Sequence, residues 1–301
     1  MISYFCQLTW VNKDDLTWKN LWNESFPEQK LDSDRFSNND ELKYSLRSIN
    51  QYMPWVRNIF ILSNCSMPEW LQENEKIKWI DHKNLISDEF LPTFNSHAIE
   101  TNLHKISDIS EIFIYFNDDV FLGNPIDKAT FVNNFRQTAS FFEDYNMVDL
   151  LDVEEKDHDY IKASKNSQKS LRKIYPNYTA SKLHKHVPTV LNKTILKSIE
   201  KEFKNEILMT RKNKLRHNSD INLTSFLYHH YCVCSSQNFN ARCENIIVRP
   251  NNIDKIKKLN YLPYKFLCFN DGGGTSNNNA YKSKVKDIFN YYFSLSAPWE
   301  K

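Results

Sequence analysis

The stretch Glu111-Ile-Phe-Ile-Tyr-Phe-Asn-Asp-Asp-Val-Phe-Leu-Gly123 limits what this chain can fold into more than any other. From Ile112 to Phe116 both alternating sets of side chains are apolar. A strand with two apolar faces belongs inside a sheet covered on both sides, which asks for an α/β layering. The strand runs without a break into Asn117-Asp118-Asp119, whose neighbouring carboxylates repel one another wherever water is scarce. In open α/β sheets ligands gather at the carboxyl ends of strands. There the acidic pair offers hard oxygen donors for Mg²⁺ or Mn²⁺, bridging to substrate phosphates. The competing reading is a capped tight turn, which Asn-Asp-Asp also favours.

The flanking pattern agrees with a largely parallel sheet. "ISYFCQLTWV" reads as a first strand ending at the polar turn Asn12 to Asp15. "SNNDELKYSLRSINQY" reads as an amphipathic helix, capped by Ser37 or Asn39, with Leu42, Leu46 and Ile49 inward. "VRNIFILSN" and "KIKWI" are strands, and "NSHAIETNLHKI" is a helix capped by Asn95 or Ser96. Beyond residue 125 the chain turns polar and lysine-rich; "TVLNKTILKSIEKEF" is its clearest helix, and "LRHNSDINLTSFLYHHYCV" continues a cap-like Asn218-Ser219-Asp220 as an aromatic helix. "YKFLCFNDGGG" repeats the opening logic: apolar strand, Asn270-Asp271, glycine. Two such strand ends suggest one shared acidic site. The expected organisation is a single catalytic domain, with residues 1–125 and about 240–301 as α/β core, the late strand near 266–271 sharing its sheet, and 126–239 as a largely helical insertion carrying His186 and Arg216.

Composition narrows the chemistry. The chain of 301 residues has four glycines, Gly123 and Gly272 to Gly274, so no glycine-rich phosphate cradle can be written. Any phosphate must be held by side chains and a metal. A net charge of +2 excludes a generic polyanion binder, and no nucleic-acid partner is expected. The six scattered cysteines read as free thiols in a reducing compartment. Cys232-Val-Cys234 with His229, His230 and Cys243 reads as apolar thiols on a strand face before it reads as zinc. No apolar run approaches a membrane span, and no basic-then-apolar leader opens the chain.

"LTWVNKDD", "RFSNNDELKYSLRSINQYMPWVRNIFILSN", "LPTFNSHAIETNLHKI", "FIYFNDDVFLG", "HKHVP", "LRHNSD" and "FLCFNDGG", with the ending "SAPWE", resemble the successive blocks of the Stealth proteins. These are bacterial capsular polysaccharide phosphotransferases, similar to the catalytic part of the lysosomal-enzyme N-acetylglucosamine-1-phosphotransferase. The blocks run in family order from residue 7 to 274. One departure is the first block, which reads Gln7-Leu8-Thr9-Trp10 without the aspartate and tyrosine common earlier in that strand.

The resemblance implies a Rossmann-like, nucleotide-sugar-transferase-type sheet. It also implies transfer of a hexosamine 1-phosphate from a UDP-N-acetylhexosamine to a hydroxyl of a growing surface polysaccharide, releasing UMP. It carries over a metal site at Asp119 and Asp271, and catalytic positions at Glu100, Asp118, His186 and Arg216. Thr9, Trp10, Asn12, Arg47 and Asn95 fall at nucleotide-contact positions. His186 would take the acceptor proton or bond a phosphate oxygen; Glu100 would be base or support. His97, His104 and His184 are left as packing or surface residues, and Arg47 and Arg57 have an ion-pair alternative with neighbours such as Asp40. The implied setting is the cytoplasm, peripheral to the inner membrane face, beside other capsule enzymes. Two further readings stand beside this one: a metal-dependent glycosyltransferase releasing UDP, and a non-catalytic carbohydrate-binding module.

Overall fold

The computed structural model describes residues 5–31, 36, 38–148, 152–256, 259–269 and 275–301. In chain order the elements are β1 (Phe5–Thr9), α1 (Leu16–Ser25), α2 (Glu41–Tyr52), β2 (Asn58–Ser63), β3 (Ile77–Asp81), α3 (Ser96–Glu100), β4 (Ile112–Asn117), β5 (Val120–Leu122) and β6 (Thr138–Ser140). Then follow α4 (Asp159–Ile174), β7 (Thr189–Asn192), α5 (Lys193–Glu202), α6 (Lys204–Lys212), a π-helical turn (Leu223–Leu227) running into α7 (Tyr228–Cys234), β8 (Asn238–Asn240), β9 (Asn245–Ile247), β10 (Phe266–Cys268) and α8 (Asn279–Tyr292).

β4 is buried as its sequence requires. Ile112, Ile114 and Phe116 face one apolar cluster, where α2 contributes Leu42, Leu46 and Ile49. Phe113 and Tyr115 face the other, where α5 and α7 contribute Leu196, Ile199 and Cys232. Each such side chain removed from water contributes about 1.5–3 kcal/mol before chain entropy is counted. The five-stranded sheet runs β3-β2-β1-β4-β7, with β3, β2, β1 and β4 parallel and β7 antiparallel at the edge. The order reverses direction beside β1, so a crevice opens between the carboxyl ends of β1 and β4. That crevice positions the site.

The late strand does not enter this sheet. β10 pairs antiparallel with β5 and parallel with β9 in a separate three-stranded sheet, because the Asp118-Asp119 turn carries β5 out of the plane of β4. Gly123 closes β5: a Cβ there would run into the Tyr264 carbonyl oxygen and the Leu267 side chain. The 126–239 segment holds α4 to α7, yet it also supplies β7 to the main sheet and pairs β6 with β8. Thr189–Asn192, expected as the start of a helix, is strand, and the Asn192 side chain caps α5 by accepting the Ile195 N–H at 3.0 Å. Cys232 and Cys234 lie on a helix, not a strand, since the buried π turn leads directly into α7. That turn is capped by Asn222 and not by the expected Asn218 to Asp220.

Helix starts also differ in detail. Asn95 caps α3 as expected, but the regular helix stops at Glu100 and a 3-10 turn, Leu103–Lys105, follows. Asp40 with φ 66° precedes α2, and the Glu41 carboxylate accepts from the Asn39 side-chain amide at 2.6 Å; Ser37 lies outside the described residues. α1 was not anticipated. Its signal is Asp15 as cap with Trp18 and Trp22 one turn apart, both packed on Phe36 and Phe94. No helix among the described residues is long and apolar enough to cross a membrane.

The chain end clamps α2. Glu300 accepts from Arg47 Nε at 2.6 Å and Nη2 at 2.7 Å, while Nη1 reaches the Phe293 carbonyl at 2.8 Å. The two side chains are 10% and 5% exposed, so the pair is largely desolvated. Removing one partner strands the other, and Arg47→Ala is expected to cost about 3 kcal/mol. Urea unfolding measures this as a lower midpoint; an unchanged midpoint would mean the tail is not held through this pair.

Candidate functional site

The crevice is built from the strand ends upward. Thr9 closes β1, and its hydroxyl meets the Tyr115 hydroxyl across to β4 at 3.0 Å. Tyr115 donates on toward Glu100 at 3.5 Å, and Thr224 donates to the other Glu100 oxygen at 2.6 Å. Glu100, at the end of α3, is thus buried but oriented by hydroxyls from β4 and the π turn. Beyond β4, the backbone oxygen of Asp119 accepts the Phe269 N–H at 2.8 Å, directly after β10. The Cys268 thiol lies 3.4 Å from Asp119 Oδ2, and His186 Nε2 lies 3.2 Å from Oδ1 and 3.4 Å from Asn117 Nδ2.

Electrostatics explain the contacts. Burial, then the charges of Asp119 and Glu41, push the Asp118 carboxyl well above its ordinary range, against N–H groups of its own backbone and of Val11. Burial works against a charged His186, but the Asp119 charge and hydrogen bond, helped by Glu100, outweigh it and raise its pKa. Burial followed by Asp119 raises Cys268, so it stays a thiol. Arg216 donates to the Ser96 hydroxyl at 3.0 and 3.3 Å, at the start of α3, and no carboxylate among the described residues pairs with it. Glu41, Glu100, Asp118 and Asp119 gather here against His186 and Arg216, an excess of carboxylates that suits a divalent cation.

Thr9, Trp10, Glu100, Asp118, Asp119, His186 and Arg216 all line one cleft of about 990 Å³. Asn12 does not; it lines a smaller hollow of about 370 Å³ that shares Trp10 with the cleft. Arg47 is engaged by Glu300, and not by Asp40. Asn95 is fully buried, with its oxygen capping α3 and its amide donating to the carbonyls of Asn213 and Leu215 and to Asp220. Asp271 lies outside the described residues. His97, His104 and His184 are all buried: His97 on Asp220 at 3.2 Å, His104 on Glu200 at 2.6 Å, His184 stacked on His229 at 4.0 Å. Among the described residues the one acid, His and Cys group spaced for a metal is Asp119, His186 and Cys268, not the Cys232–Cys234 group. A thiol and an imidazole are poor Mg²⁺ ligands, which leaves Asp119 as the hard donor. The cleft also gathers Glu143, Tyr145, Met147, His158, Tyr160 and Arg249, unnamed from the sequence.

Fold and site together define an α/β protein with an acidic ligand crevice at its topological switch point. Residues 35–140 match Stealth protein CR2, conserved region 2, and residues 185–233 match Stealth protein CR3, conserved region 3. The chain is 34% identical over 304 residues to the capsular polysaccharide phosphotransferase fcs1 of Haemophilus influenzae, covering 95% of this chain and 82% of that one. It is 35% identical over 309 residues to the capsular polysaccharide phosphotransferase SacB of Neisseria meningitidis serogroup A, covering 97% of this chain. The chain spans 56% of the length of SacB. A solved galactosyltransferase LgtC, in complex with donor and acceptor sugar analogs, aligns over 98% of both chains at 9% identity and a TM-score of 0.42, too distant to carry more. The chain belongs to the Stealth family.

The full set of bonds at Asn95 generates a prediction. Asn95→Ala removes a helix cap and leaves two carbonyls and Asp220 short of a donor, a loss of about 2–4 kcal/mol. Thermal unfolding of the variant is expected to show it. A variant of unchanged stability that binds nucleotide weakly would instead place Asn95 among the ligand contacts.

Proposed function

We propose that this protein transfers a hexosamine 1-phosphate from a UDP-N-acetylhexosamine to a hydroxyl of a growing capsular polysaccharide, forming a phosphodiester and releasing UMP. The observation that carries the reading is the Asp119–His186 pair at 3.2 Å in the switch-point crevice, with Arg216, which no carboxylate among the described residues pairs, on the same cleft. The names of the 34–35% identical relatives support phosphotransfer in capsule synthesis.

The residues divide the work as follows. Asp119 accepts from His186 Nε2 and so leaves Nδ1, which has no partner among the described residues, as the proton acceptor. A carboxylate partner that raises the imidazole pKa makes it a stronger base. The acceptor hydroxyl attacks the β-phosphorus, its proton passes to His186 Nδ1, and the bond from that phosphorus to the bridging oxygen breaks as UMP departs. Arg216, held by Ser96, presents the planar donor fork that a phosphate matches. Glu100 keeps Tyr115 and Thr224 aligned under the donor. Thr9 and Trp10 line the nucleotide side, with Asn12 beyond Trp10; Arg47 and Asn95 are omitted because protein groups occupy their bonds. Asp119, with Asp271, would hold Mg²⁺ or Mn²⁺, which when bound neutralises charge on the pyrophosphate. The reaction so read would run in the cytoplasm, where nucleotide sugars are made, with the protein peripheral to the inner membrane face beside other capsule enzymes.

Which bond breaks is directly testable. Donor labelled in its β-phosphate is expected to pass that phosphate to the acceptor while UMP accumulates, with the new diester visible by phosphorus NMR. Release of UDP with no label in the product would make this a glycosyltransferase, and failure to turn over any nucleotide sugar would favour a binding module.

The base assignment gives a second test. His186→Ala is expected to lower kcat about 10²–10⁴-fold with little change in donor KM. A variant in which only KM rises would show that His186 binds phosphate and does not move the proton.

A further inference from the structure

One wall of the cleft is used by nothing described so far. The strip Phe141 to Met147 starts antiparallel to the segment that delivers His186 and then bends at Asp144 and Tyr145: Phe142 bridges His184, Glu143 N–H reaches Leu183 O at 2.9 Å, and Lys185 N–H reaches Phe141 O at 2.7 Å. Glu143, Tyr145 and Met147 from this strip all line the cleft. The start of α4 completes the wall with His158 and Tyr160, whose rings stack at 5.8 Å with 8° between planes. Tyr145 and Tyr160 are 59% and 37% exposed, large aromatics left in solvent inside a cleft. Tyr145 and Arg249 both act on the Tyr160 hydroxyl, the first raising and the second lowering its pKa, after burial as the main cause of its rise. The Glu143 carboxylate has no hydrogen-bond partner among the described residues. Asp157 is held by Lys165 at 2.8 Å and so fixes the turn before α4.

We propose that this wall, Glu143, Tyr145, Met147, His158 and Tyr160, is the subsite that receives the acceptor sugar as a neutral pyranose ring. The proposal rests on the phosphotransfer reading above. The donor diphosphate belongs nearer Arg216, which no carboxylate among the described residues pairs, while Glu143 and Glu155 put carboxylates on this wall beside the Arg249 that acts on Tyr160. A pyranose ring presents one face of polarised C–H bonds, which the negative face of an aromatic ring attracts. Its hydroxyls find acceptors in Glu143 and a tyrosine hydroxyl. Rigid aromatics with two side-chain torsions bind with little loss of conformational freedom. His186 follows directly on the strip's own partner segment and lines the same cleft, so a sugar docked here shares the cleft with the proposed base.

The test combines kinetics with binding. Tyr145→Ala, Tyr160→Ala and the double variant touch exposed side chains, and circular dichroism checks that each keeps its fold. In transfer assays each is expected to raise the acceptor KM about tenfold, and the double variant more, with donor KM and the slow UMP release to water unchanged. Tyr160→Phe keeps the ring and is expected to retain most affinity. An equal rise in donor KM, or no rise in acceptor KM, overturns the subsite. A separate arm needs no turnover: saturation-transfer NMR with N-acetylglucosamine di-, tri- and tetrasaccharides should show ring-proton contact in the wild type and lose it in the double variant. Contact that persists in the double variant, or is absent in the wild type, overturns the proposal. A wild type that binds these sugars at the wall yet releases no UMP from any donor leaves the subsite standing and removes only the phosphotransfer reading.

Discussion

Two carboxylates at the end of a buried strand set the terms for the rest of the molecule. β4 brings apolar residues through the middle of the sheet and delivers Asp118 and Asp119 where their mutual repulsion is poorly screened. The chain answers with donors from three distant segments. Val11, after β1, offers its N–H to Asp118. His186, from the insertion, and Cys268, at the end of β10, reach the Asp119 carboxylate, while the Phe269 N–H holds its backbone oxygen. Each contact ties a different part of the chain to one turn, so the acidic pair organises the tertiary structure as well as the site. Repulsion that is only partly relieved by these donors is also what attracts a cation or a substrate with its counter-ion.

How much of this could be read beforehand follows the range of the interactions. The strands β1 to β4, helix α2 and the cap of α3 are local patterns, and they stand where the periodicity puts them. The strand β7 was hidden inside "TVLNKTILKSIEKEF", because its four residues carry no helical or alternating signal of their own and are decided by the open edge of β4. β10 had the right local reading and the wrong sheet, since a turn at Asp118-Asp119 redirects β5. Arg47 looked available to a nucleotide because its partner, Glu300, lies 253 residues away. Of the described residues named for the site, Thr9, Trp10, Glu100, Asp118, Asp119, His186 and Arg216 converge on the cleft. Those with strong local jobs, Asn95 above all, are spent on the scaffold.

The glycine-poor composition has a structural consequence. A backbone cradle holds phosphate with N–H groups that the fold keeps in place. Here the proposed phosphate donor is a flexible arginine, and its precision has to come from what anchors its loop. Ser96 fixes the guanidinium itself. Phe94 N–H holds Lys214 O at 2.8 Å, Lys214 Nζ reaches Leu91 O at 2.9 Å, and Asn95 holds the carbonyls on either side. The loop carrying Arg216 is thereby stitched to the residues that begin α3.

Asp220 is the knot in that stitching. It is fully buried and accepts from Asn95, Asn213 and the His217 N–H, with His97 at 3.2 Å. Burial opposes its charge, but His97, Asn213 and His217 outweigh the burial and hold its pKa below the ordinary carboxylate value. A group depressed in this way stabilises the folded state above its unfolded pKa and loses that contribution as pH falls through its folded one. The lock is therefore complete at neutral pH, where phosphates carry the charge that Arg216 would meet. α3 bears Ser96 at its first residue and Glu100 at its last, so the guanidinium and the carboxylate belong to one short rigid unit. Loosening Asp220 would therefore weaken the anchoring of the Arg216 loop and of the start of α3 together, leaving the Ser96, Phe94 and Lys214 contacts to hold the guanidinium alone.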